Sequence, residues 1–465
     1  MPNSFAYLML SLWPLAVIVM FRVMTTERAM IWSILGGYLI LPPAIGIYLP
    51  VLPGFDKHSI PALSALVCIV ALGRRVSPLP AGLIGKVLLV VFIVSPIGTV
   101  LTNREPVFFA LGALPGLTLR DIFSAGIYQF MTILPFVLAR DLLATPTAQR
   151  ELVRALVIAG LAYSLPMLFE VRMSPQLNLM IYGYFQHSFD QMIRFGGFRP
   201  IVFLQHGLWL AIFTLMTLAA AVAAARHAIP AARMRYVAAS IYLAVMLILC
   251  RSAGPLILAL GLLPLLMFAG QKMQLRIAAV LAVLVVAYPM LRGAALIPVD
   301  AMVQRAETID HDRAGSLRFR FDNEASLLAH AARKPAFGWG QWDRNMVHHP
   351  ETGQPISVSD GRWIIVLGIG GWAAFLAEFG LLALPLVTLW RRSGWLPARD
   401  APFVSPLALM LAVNMVDLIP NATLVPITWL VAGALLGFAE RPVTASVQER
   451  ARSGLAGGRR LEIIR

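Results

Sequence analysis

The sequence predicts an all-α polytopic membrane protein with about 12–13 transmembrane helices, and three observations lead to this class. Of its 465 residues, 59% are hydrophobic and only 13% are charged, with a mean hydropathy of +0.76. A soluble domain is typically about a quarter charged. Apolar runs of roughly 20 residues, the length that crosses a bilayer, recur from end to end. The lysines and arginines fall mainly in the short links between these runs.

The apolar runs give the predicted spans in chain order. They cover approximately residues 5–21, 29–49, 60–73, 81–101, 123–139, 152–169, 201–224, 236–250, 254–269, 277–292, 363–390, 403–419 and 424–439. The first run has no basic segment before it and no small-residue cleavage site after it. It is therefore predicted to be a membrane helix and not a cleaved signal peptide.

The basic links predict the orientation, because lysine and arginine favour the cytoplasmic side. Every odd-numbered span exits toward a basic segment. The residues concerned are Arg22, Arg28, Arg74, Arg75, Arg140, Arg150, Arg154, Arg226, Arg233, Arg235, Lys272, Arg276, Arg391, Arg392, Arg399 and the arginines of the tail. The N-terminus is therefore predicted outside and the tail in the cytoplasm. The net charge of +15 is explained in this way without nucleic acid, and it suits anionic lipids and phosphate-bearing substrates.

Four regions follow from this layout. They are a transmembrane bundle (1–292), a large outer loop between the tenth and eleventh spans (293–361), C-terminal transmembrane helices (362–440) and a basic cytoplasmic tail (441–465). Two shorter links, 102–122 and 170–200, fall on the same outer side as the large loop.

The large outer loop is the one long polar stretch of the chain, and nine of the 23 acidic residues lie within it. A loop of this length is too long for a passive turn. Ser316 is a predicted N-cap for an amphipathic helix over about 317–334, which ends before Pro335.

The charged residues of this predicted helix are spaced for pairing. Arg318 and Asp322 are four residues apart, as are Arg320 and Glu324, so each pair can meet on one face. The opposite face would pack on the membrane bundle through Phe321, Leu328 and Ala332. A surface helix whose ion pairs only keep the loop soluble is the alternative, and composition alone weighs the two equally.

Arg251 departs from the charge rule, because it ends the eighth span on the predicted outer side, before the tight link 252–255. An arginine that snorkels to the interface is one explanation. The other is an anion site, since the planar guanidinium suits phosphate. Arg194 and Arg199 are further outer arginines. A cluster near one membrane face is therefore expected, as a lipid-carried pyrophosphate would need.

Carboxylates are the natural partners of such arginines. Asp360 lies where the large loop re-enters the membrane, whereas Glu378 and Asp417 lie within spans. Intramembrane acids are costly, so Glu378 is predicted to brace helices and Asp417 to face the outer cleft. His348 and His349 lack a third ligand with suitable spacing, and both cysteines lie in apolar runs. Neither a metal site nor a disulfide framework is expected, and no cofactor is implied.

Three sequence features lie in order between about residues 190 and 380. They are RFGGFRPIVFLQHG (194–207), CRSAG (250–254) and, in the large loop, LRFRF followed about fifteen residues later by PAFGWG. Together with the many spans and the single large outer loop, they resemble the O-antigen ligase and O-antigen polymerase superfamily of bacterial envelope proteins.

The resemblance implies a GT-C-like, inverting, metal-independent glycosyltransferase. Such an enzyme uses a glycan linked to undecaprenyl diphosphate on the periplasmic face of the bacterial inner membrane. By position, Arg251 matches the family's arginine in the short link. Arg320 best matches the family's loop arginine, with Arg318 a close second. These residues would bind the diphosphate, with Arg194 and Arg199 as further candidates.

One position departs from the ligases of that family, which place a histidine where the loop re-enters the membrane. Here that place holds Asp360-Gly361-Arg362-Trp363. The departure favours a polymerase, which joins lipid-linked repeat units in O-antigen or exopolysaccharide synthesis, or a divergent member of the superfamily. A carboxylate, Asp360 first and Glu324 second, would accept the proton of the acceptor hydroxyl.

Three alternatives remain at this point, of which the simplest is a non-catalytic envelope scaffold. The other two have an activity. One is an O-antigen ligase that transfers the glycan to lipid A-core or another acceptor. The other, from a different class, is a lipid-linked oligosaccharide flippase, although such transporters usually show repeated halves and carry their charges within spans. In each case the expected partners are the lipid-linked glycan, membrane lipids and other polysaccharide assembly proteins.

Overall fold

A computed structural model describes residues 1–49, 52–194, 196–308, 311–394 and 401–441, and this part of the chain is mostly helical. In chain order the helices are α1 (Ser4–Val23), α2 (Thr26–Ile40), α3 (Ile60–Ala71), α4 (Leu83–Leu101), α5 (Leu119–Leu142), α6 (Pro146–Met173), α7 (Leu177–Tyr182), α8 (Gly207–His227), α9 (Pro230–Leu249), α10 (Ala253–Phe268), α11 (Gln271–Gly293), α12 (Val299–Glu307), α13 (His311–Ala331), α14 (Arg362–Arg391), α15 (Val404–Asp417) and α16 (Pro426–Glu440). The predicted cytoplasmic tail, apart from Arg441, lies outside the described residues.

Each predicted span overlaps one of these helices, but the span predicted over 29–49 extends nine residues beyond the end of α2, into the strand Gly46–Ile47. The additional helices are α7, α12 and α13. Within the described ranges, eight helices are long and apolar enough to cross a membrane: α1, α4, α5, α6, α8, α9, α11 and α14. Four further apolar helices, α3, α10, α15 and α16, are shorter. The chain is therefore a multi-pass, helical membrane protein.

The described strands form three two-stranded antiparallel hairpins in the links between helices. They pair β1 (Gly46–Ile47) with β2 (Phe55–Asp56), β3 (Val107–Phe109) with β4 (Gly112–Leu114), and β5 (Ile193–Arg194) with β6 (Gly197–Phe198). Hairpins this short do not build a core, but they fix the shape of the links that carry the candidate site.

The links form two groups, one at each end of the helices. In one group, the β3–β4 hairpin meets the large loop, where the Leu111 N–H donates to the Glu351 carbonyl at 2.9 Å. In the other group, Arg28 pairs with Glu151 at 2.7 Å. The predicted outer links thus contact one another, and the basic links contact one another, as successive crossings require.

The helix predicted over 317–334 has different bounds in the structure. α13 runs from His311 to Ala331, so Ser316 lies inside it and caps nothing. The prediction of Ser316 as N-cap is wrong because the helix already includes His311, five residues or about one and a half turns upstream, and packs there against α12. Phe321 is buried as expected, but Ala331 takes the buried place predicted for Ala332.

The predicted span 363–390 is not one continuous helix. Gly371, with φ 63° and ψ −163°, breaks α14 into two segments. The PAFGWG turn fills the break. Its backbone forms hydrogen bonds with the backbone groups that the break leaves without helical partners. Before the break, the Gly368 carbonyl accepts from Trp339 N–H (2.8 Å) and the Ile369 carbonyl accepts from Gly340 N–H (2.9 Å). After the break, Trp372 N–H donates to the Pro335 carbonyl (2.8 Å) and Ala373 N–H donates to the Ala336 carbonyl (3.1 Å).

The break at Gly371 folds the start of α14 back along the rest of it. Arg362 and Glu378 are 16 residues apart in sequence, which is about 24 Å along a straight helix. Their side chains nonetheless form two hydrogen bonds, from Nε to Oε1 at 2.7 Å and from Nη2 to Oε2 at 2.6 Å. Asp360, just before α14, is positioned by this fold-back.

Candidate functional site

One cavity brings together three of the predicted site residues. Arg320, Glu324 and Asp360 all line it, and its volume is about 250 Å³. Arg320 and Glu324 come from α13, one helical turn apart, and Asp360 comes from the segment that leads into α14. Apolar residues such as Phe321 and Ile364 complete the wall. We call this space the carboxylate cavity.

Arg320 forms an ion pair with Asp360, in which Nε lies 3.3 Å from Oδ2. The two side chains are 44% and 41% exposed, so the pair adds little stability. Its consequence is positional: a guanidinium and a carboxylate lie side by side where a substrate can reach both.

Arg318, the second choice for the loop arginine, points elsewhere. It pairs with Glu307 of α12 at 3.1 Å and does not line the carboxylate cavity. The expected pairing along the helix, Arg318 with Asp322 and Arg320 with Glu324, is wrong. Both arginines instead reach carboxylates on neighbouring segments.

Glu324 lies deeper in the carboxylate cavity than Asp360. Its Oε2 accepts a hydrogen bond from the Tyr288 hydroxyl at 3.2 Å and lies 3.8 Å from Arg292 Nε. Burial raises the pKa of Glu324 despite these partners. The cavity therefore holds two carboxylates in different environments, one exposed and ion-paired, the other buried with a raised pKa.

A second group of predicted residues, Arg194, Arg199 and Arg251, forms what we call the arginine cluster. Arg199 is its buried member, 3% exposed, and its Nη2 donates to Ser252 Oγ at 2.6 Å. Ser252 is the N-cap residue of α10. Arg199 also packs on the start of α8, because a Cβ on Gly207 would lie 2.6 Å from Arg199 Nε. Two helix N-termini thus meet at Arg199.

The charge of Arg199 is not neutralised by an acid. Burial, followed by the charge of Arg194, lowers the pKa of Arg199 to about 10. No carboxylate in the described ranges pairs with Arg194 or Arg199, and Arg199 Nε is buried without a hydrogen-bond partner there. A buried cation is costly without a counter-charge, and helix N-termini favour anions. The geometry is that of an anion site.

Arg251 supports the β5–β6 hairpin that carries Arg194. Its backbone φ is 50°, an unusual value for a residue with a side chain. Its Nη1 donates to the Arg194 carbonyl at 2.9 Å, and a Cβ on Gly197 would lie 2.3 Å from its Nη2. Arg251 does not line the carboxylate cavity. Its contacts are those of a residue that positions the arginine cluster.

His206 is a member of the site that the sequence reasoning missed. It is the N-cap of α8, and its Nδ1 accepts the Leu208 N–H at 2.9 Å. The proton of the neutral ring therefore sits on Nε2, 3.3 Å from Gln191 Oε1. Burial lowers the pKa of His206 to about 3, with smaller contributions from Arg199, His187, Arg194 and Arg320.

The electrostatics of His206 link the two groups of residues. Arg199 and Arg194 belong to the arginine cluster, and Arg320 belongs to the carboxylate cavity, yet all three charges act on the same ring. Both the arginine cluster and the carboxylate cavity therefore lie within electrostatic range of His206. The signal that could have identified His206 was its place before Gly207, where a helix begins after a loop.

Two acids predicted within spans have closed hydrogen-bond networks. Glu378 is paired with Arg362, in agreement with its predicted bracing role. Asp417, expected to face the cleft, is buried and accepts from Asn421 Nδ2 at 2.9 Å and Thr423 Oγ1 at 2.5 Å. That expectation is wrong, because Asp417 ties together the turn between α15 and α16.

Comparison of the sequence with models of protein families and with curated proteins gave no match.

Proposed function

We propose that the protein is a metal-independent, polymerase-type glycosyltransferase. It transfers glycan from undecaprenyl diphosphate to a lipid-linked repeat unit in O-antigen or exopolysaccharide synthesis. The observation that carries this proposal is the placing of Arg320 beside two carboxylates, together with Arg194 and Arg199, with which no carboxylate of the described residues pairs. The sequence resemblance to the O-antigen ligase and polymerase superfamily points in the same direction.

In this proposal the arginine cluster holds the diphosphate of the donor. Arg199 and Arg194 face the phosphate oxygens with the N-termini of α8 and α10 behind them, and Arg251 keeps the hairpin in place. When the bond between the anomeric carbon and the diphosphate oxygen breaks, its electron pair moves to the diphosphate. Fixed positive charge stabilises that leaving group, which is the part a metal ion would otherwise play.

Asp360 accepts the proton of the acceptor hydroxyl as its oxygen forms the new glycosidic bond. In this structure the Arg320 guanidinium is paired with the Asp360 carboxylate. A bound diphosphate competes for the guanidinium and leaves the carboxylate free to act as a base, so donor binding prepares the site for the acceptor. Glu324, with its raised pKa, is the second candidate for this role.

A lipid-linked oligosaccharide flippase is the second candidate function, because broken membrane helices are typical of transporters. α14 is such a helix, and it carries the buried Arg362–Glu378 pair. A flippase, however, gives no reason for a cation-rich surface formed from loops outside the spans. The glycosyltransferase proposal accounts for that surface.

A complementation experiment tests the proposal. Wild-type protein, Arg251→Ala, Arg320→Ala and Asp360→Ala are expressed in a strain that lacks the native gene, and polymer length is read by gel. The three variants are expected to lose long polymer, whereas the matched control Arg318→Ala keeps it. Normal polymer in all three variants, with each protein present in the membrane, would overturn the site.

A further inference from the structure

A separate cavity of about 380 Å³ lies between α4, α5 and α14. Its volume falls in the range of small-molecule sites. The Arg362–Glu378 pair is part of its lining, and the exposed Trp342, from the loop after the PAFGWG turn, lies at its mouth. It shares no lining residue with the carboxylate cavity. We call it the chamber.

Apart from Asp121, whose carboxylate accepts hydrogen bonds from Thr118, the chamber is lined by groups that form hydrogen bonds but carry little uncompensated charge. Hydroxyl and amide side chains lie along α5 and the adjoining loop: Ser124, Tyr128, Gln129, Thr132 and Gln341. Arg362 donates through Nε and Nη2 to the two carboxylate oxygens of Glu378, so these two charges compensate each other. The chamber therefore suits a neutral, hydroxyl-rich ligand, in contrast to the arginine cluster.

Gln129 provides an independent sign of a ligand. Its Oε1 is buried and has no hydrogen-bond partner among the described residues. A buried acceptor without a donor is unfavourable, because it has lost water and gained nothing in return. Gln129 lines the chamber, so a rotation of its amide would bring Oε1 to a hydroxyl group of a ligand there, which would supply the missing donor.

Trp342 is held in a costly position at the mouth of the chamber. It is 64% exposed, and both it and Asp343 have left-handed backbone angles, with φ of 62° and 60°. Arg344 fixes this strained turn. That side chain is 3% exposed and donates to the carbonyls of Pro115 at 2.8 Å and Glu105 at 3.1 Å. Strain of this kind gathers at ligand sites, and an exposed indole gives the apolar face of a pyranose ring a surface to stack on.

We propose that the chamber binds the terminal sugar of the acceptor, a neutral pyranose, and this assignment rests on the proposed glycosyltransferase function. Asp360 and Arg362 are two residues apart, so their Cα atoms are separated by at most about 7 Å. Asp360 faces the carboxylate cavity while Arg362 faces the chamber. The base therefore lies between the donor side and the acceptor side.

Saturation-transfer NMR on the full-length protein in lipid nanodiscs tests the chamber. The probes are free glucose, galactose, mannose and N-acetylglucosamine at millimolar concentration. At least one pyranose is expected to receive saturation from the wild type. The signal should fall several-fold in Gln129→Leu and Trp342→Ala. It should persist in Trp390→Ala, which removes another exposed tryptophan at the far end of α14.

The Arg320→Ala variant separates this proposal from the proposed function. Arg320 does not line the chamber, so the variant should bind the pyranose as the wild type does while its transferase activity is lost. The chamber assignment would be overturned if the wild type saturated none of the probes. It would also be overturned if Trp342→Ala and Gln129→Leu gave the same signal as the wild type. Pyranose binding with active Arg320→Ala would leave the chamber intact and overturn the donor site.

Discussion

The pairing of Arg320 with Asp360 decides what each residue can do. Arg320 also has Glu324 one helical turn away, and from sequence spacing alone that nearer acid was the expected partner. The chain instead brings Asp360 to Arg320 across 40 positions, by way of the broken start of α14. Sequence spacing predicts which side chains are neighbours on one helix. It does not predict an ion pair with a residue that tertiary folding brings from another segment.

Asp360 and Glu324 can be separated by kinetics. Asp360→Asn removes the only proton acceptor at that position and should lower the transfer rate by about 10²–10⁴-fold, the usual contribution of a general base. Donor binding should be kept, because the arginines remain. Glu324→Gln should have a smaller effect. Initial rates and donor affinity are the measurements, and an active Asp360→Asn beside an inactive Glu324→Gln would exchange the two roles.

His206 predicts how stability depends on pH. Its pKa is about 3 in the folded chain, and histidine in an unfolded chain has a pKa of about 6.5. As pH falls from 6.5 toward 3, the unfolded chain therefore binds a proton that the folded chain excludes, and the folded state loses stability. His206→Asn keeps an N-cap but does not titrate. Thermal unfolding near pH 7 and near pH 5 should show a smaller loss in the variant; equal losses would contradict this assignment.

At the level of elements, a helix overlaps each of the thirteen apolar runs, and in the described ranges eight of these helices are long and apolar enough to cross a membrane. The break in α14 was not predicted. Gly370 and Gly371 sit inside an apolar run, and glycine in a membrane helix is common. The break becomes visible only through the PAFGWG turn, whose backbone caps both segments.

Gly371 should tolerate no side chain. Its φ is 63°, and a Cβ there would lie 2.5 Å from the Ala336 carbonyl carbon and from the Pro335 oxygen. Gly371→Ala should therefore lower the unfolding temperature markedly and disturb the Arg362–Glu378 pair. Gly261→Ala is the matched control, since Gly261 is helical and has open space around it. The control should be neutral or gain up to about 1 kcal/mol. Equal behaviour of the two variants in thermal unfolding would argue against the broken helix.

At the scale of the whole molecule, the charge pattern and the contacts agree on two groups of links. The predicted outer links touch one another, and the arginine cluster and carboxylate cavity both lie in that group. The sequence identified three residues that the structure brings to one cavity, Arg320, Glu324 and Asp360, but it did not identify the contacts that the predicted residues make. Arg251 was expected to bind phosphate, and its contacts with the β5–β6 hairpin are those of a positioning residue. Such roles depend on which backbone lies opposite a side chain.

Cysteine labelling tests the orientation. The chain has two cysteines, Cys68 and Cys250, and both are buried. Glu351→Cys places a thiol on the large loop, and Arg235→Cys places one at the start of α9; both positions are exposed. A membrane-impermeant maleimide should label Glu351→Cys in intact spheroplasts and Arg235→Cys only after lysis. The reverse pattern would invert the predicted topology.

Transfer by the purified protein tests the central claim most directly. Wild type, Arg320→Ala and Arg318→Ala are reconstituted in liposomes with an undecaprenyl-diphosphate-linked oligosaccharide as both donor and acceptor, and released undecaprenyl diphosphate and lengthened glycan are measured. Wild type and Arg318→Ala should release the diphosphate and extend the glycan in equal amounts. Arg320→Ala should be slower by about 10²–10³-fold, the usual cost of removing one group that stabilises developing charge. Equal rates for Arg320→Ala and Arg318→Ala would contradict the site, and no transfer by the wild type would contradict the function.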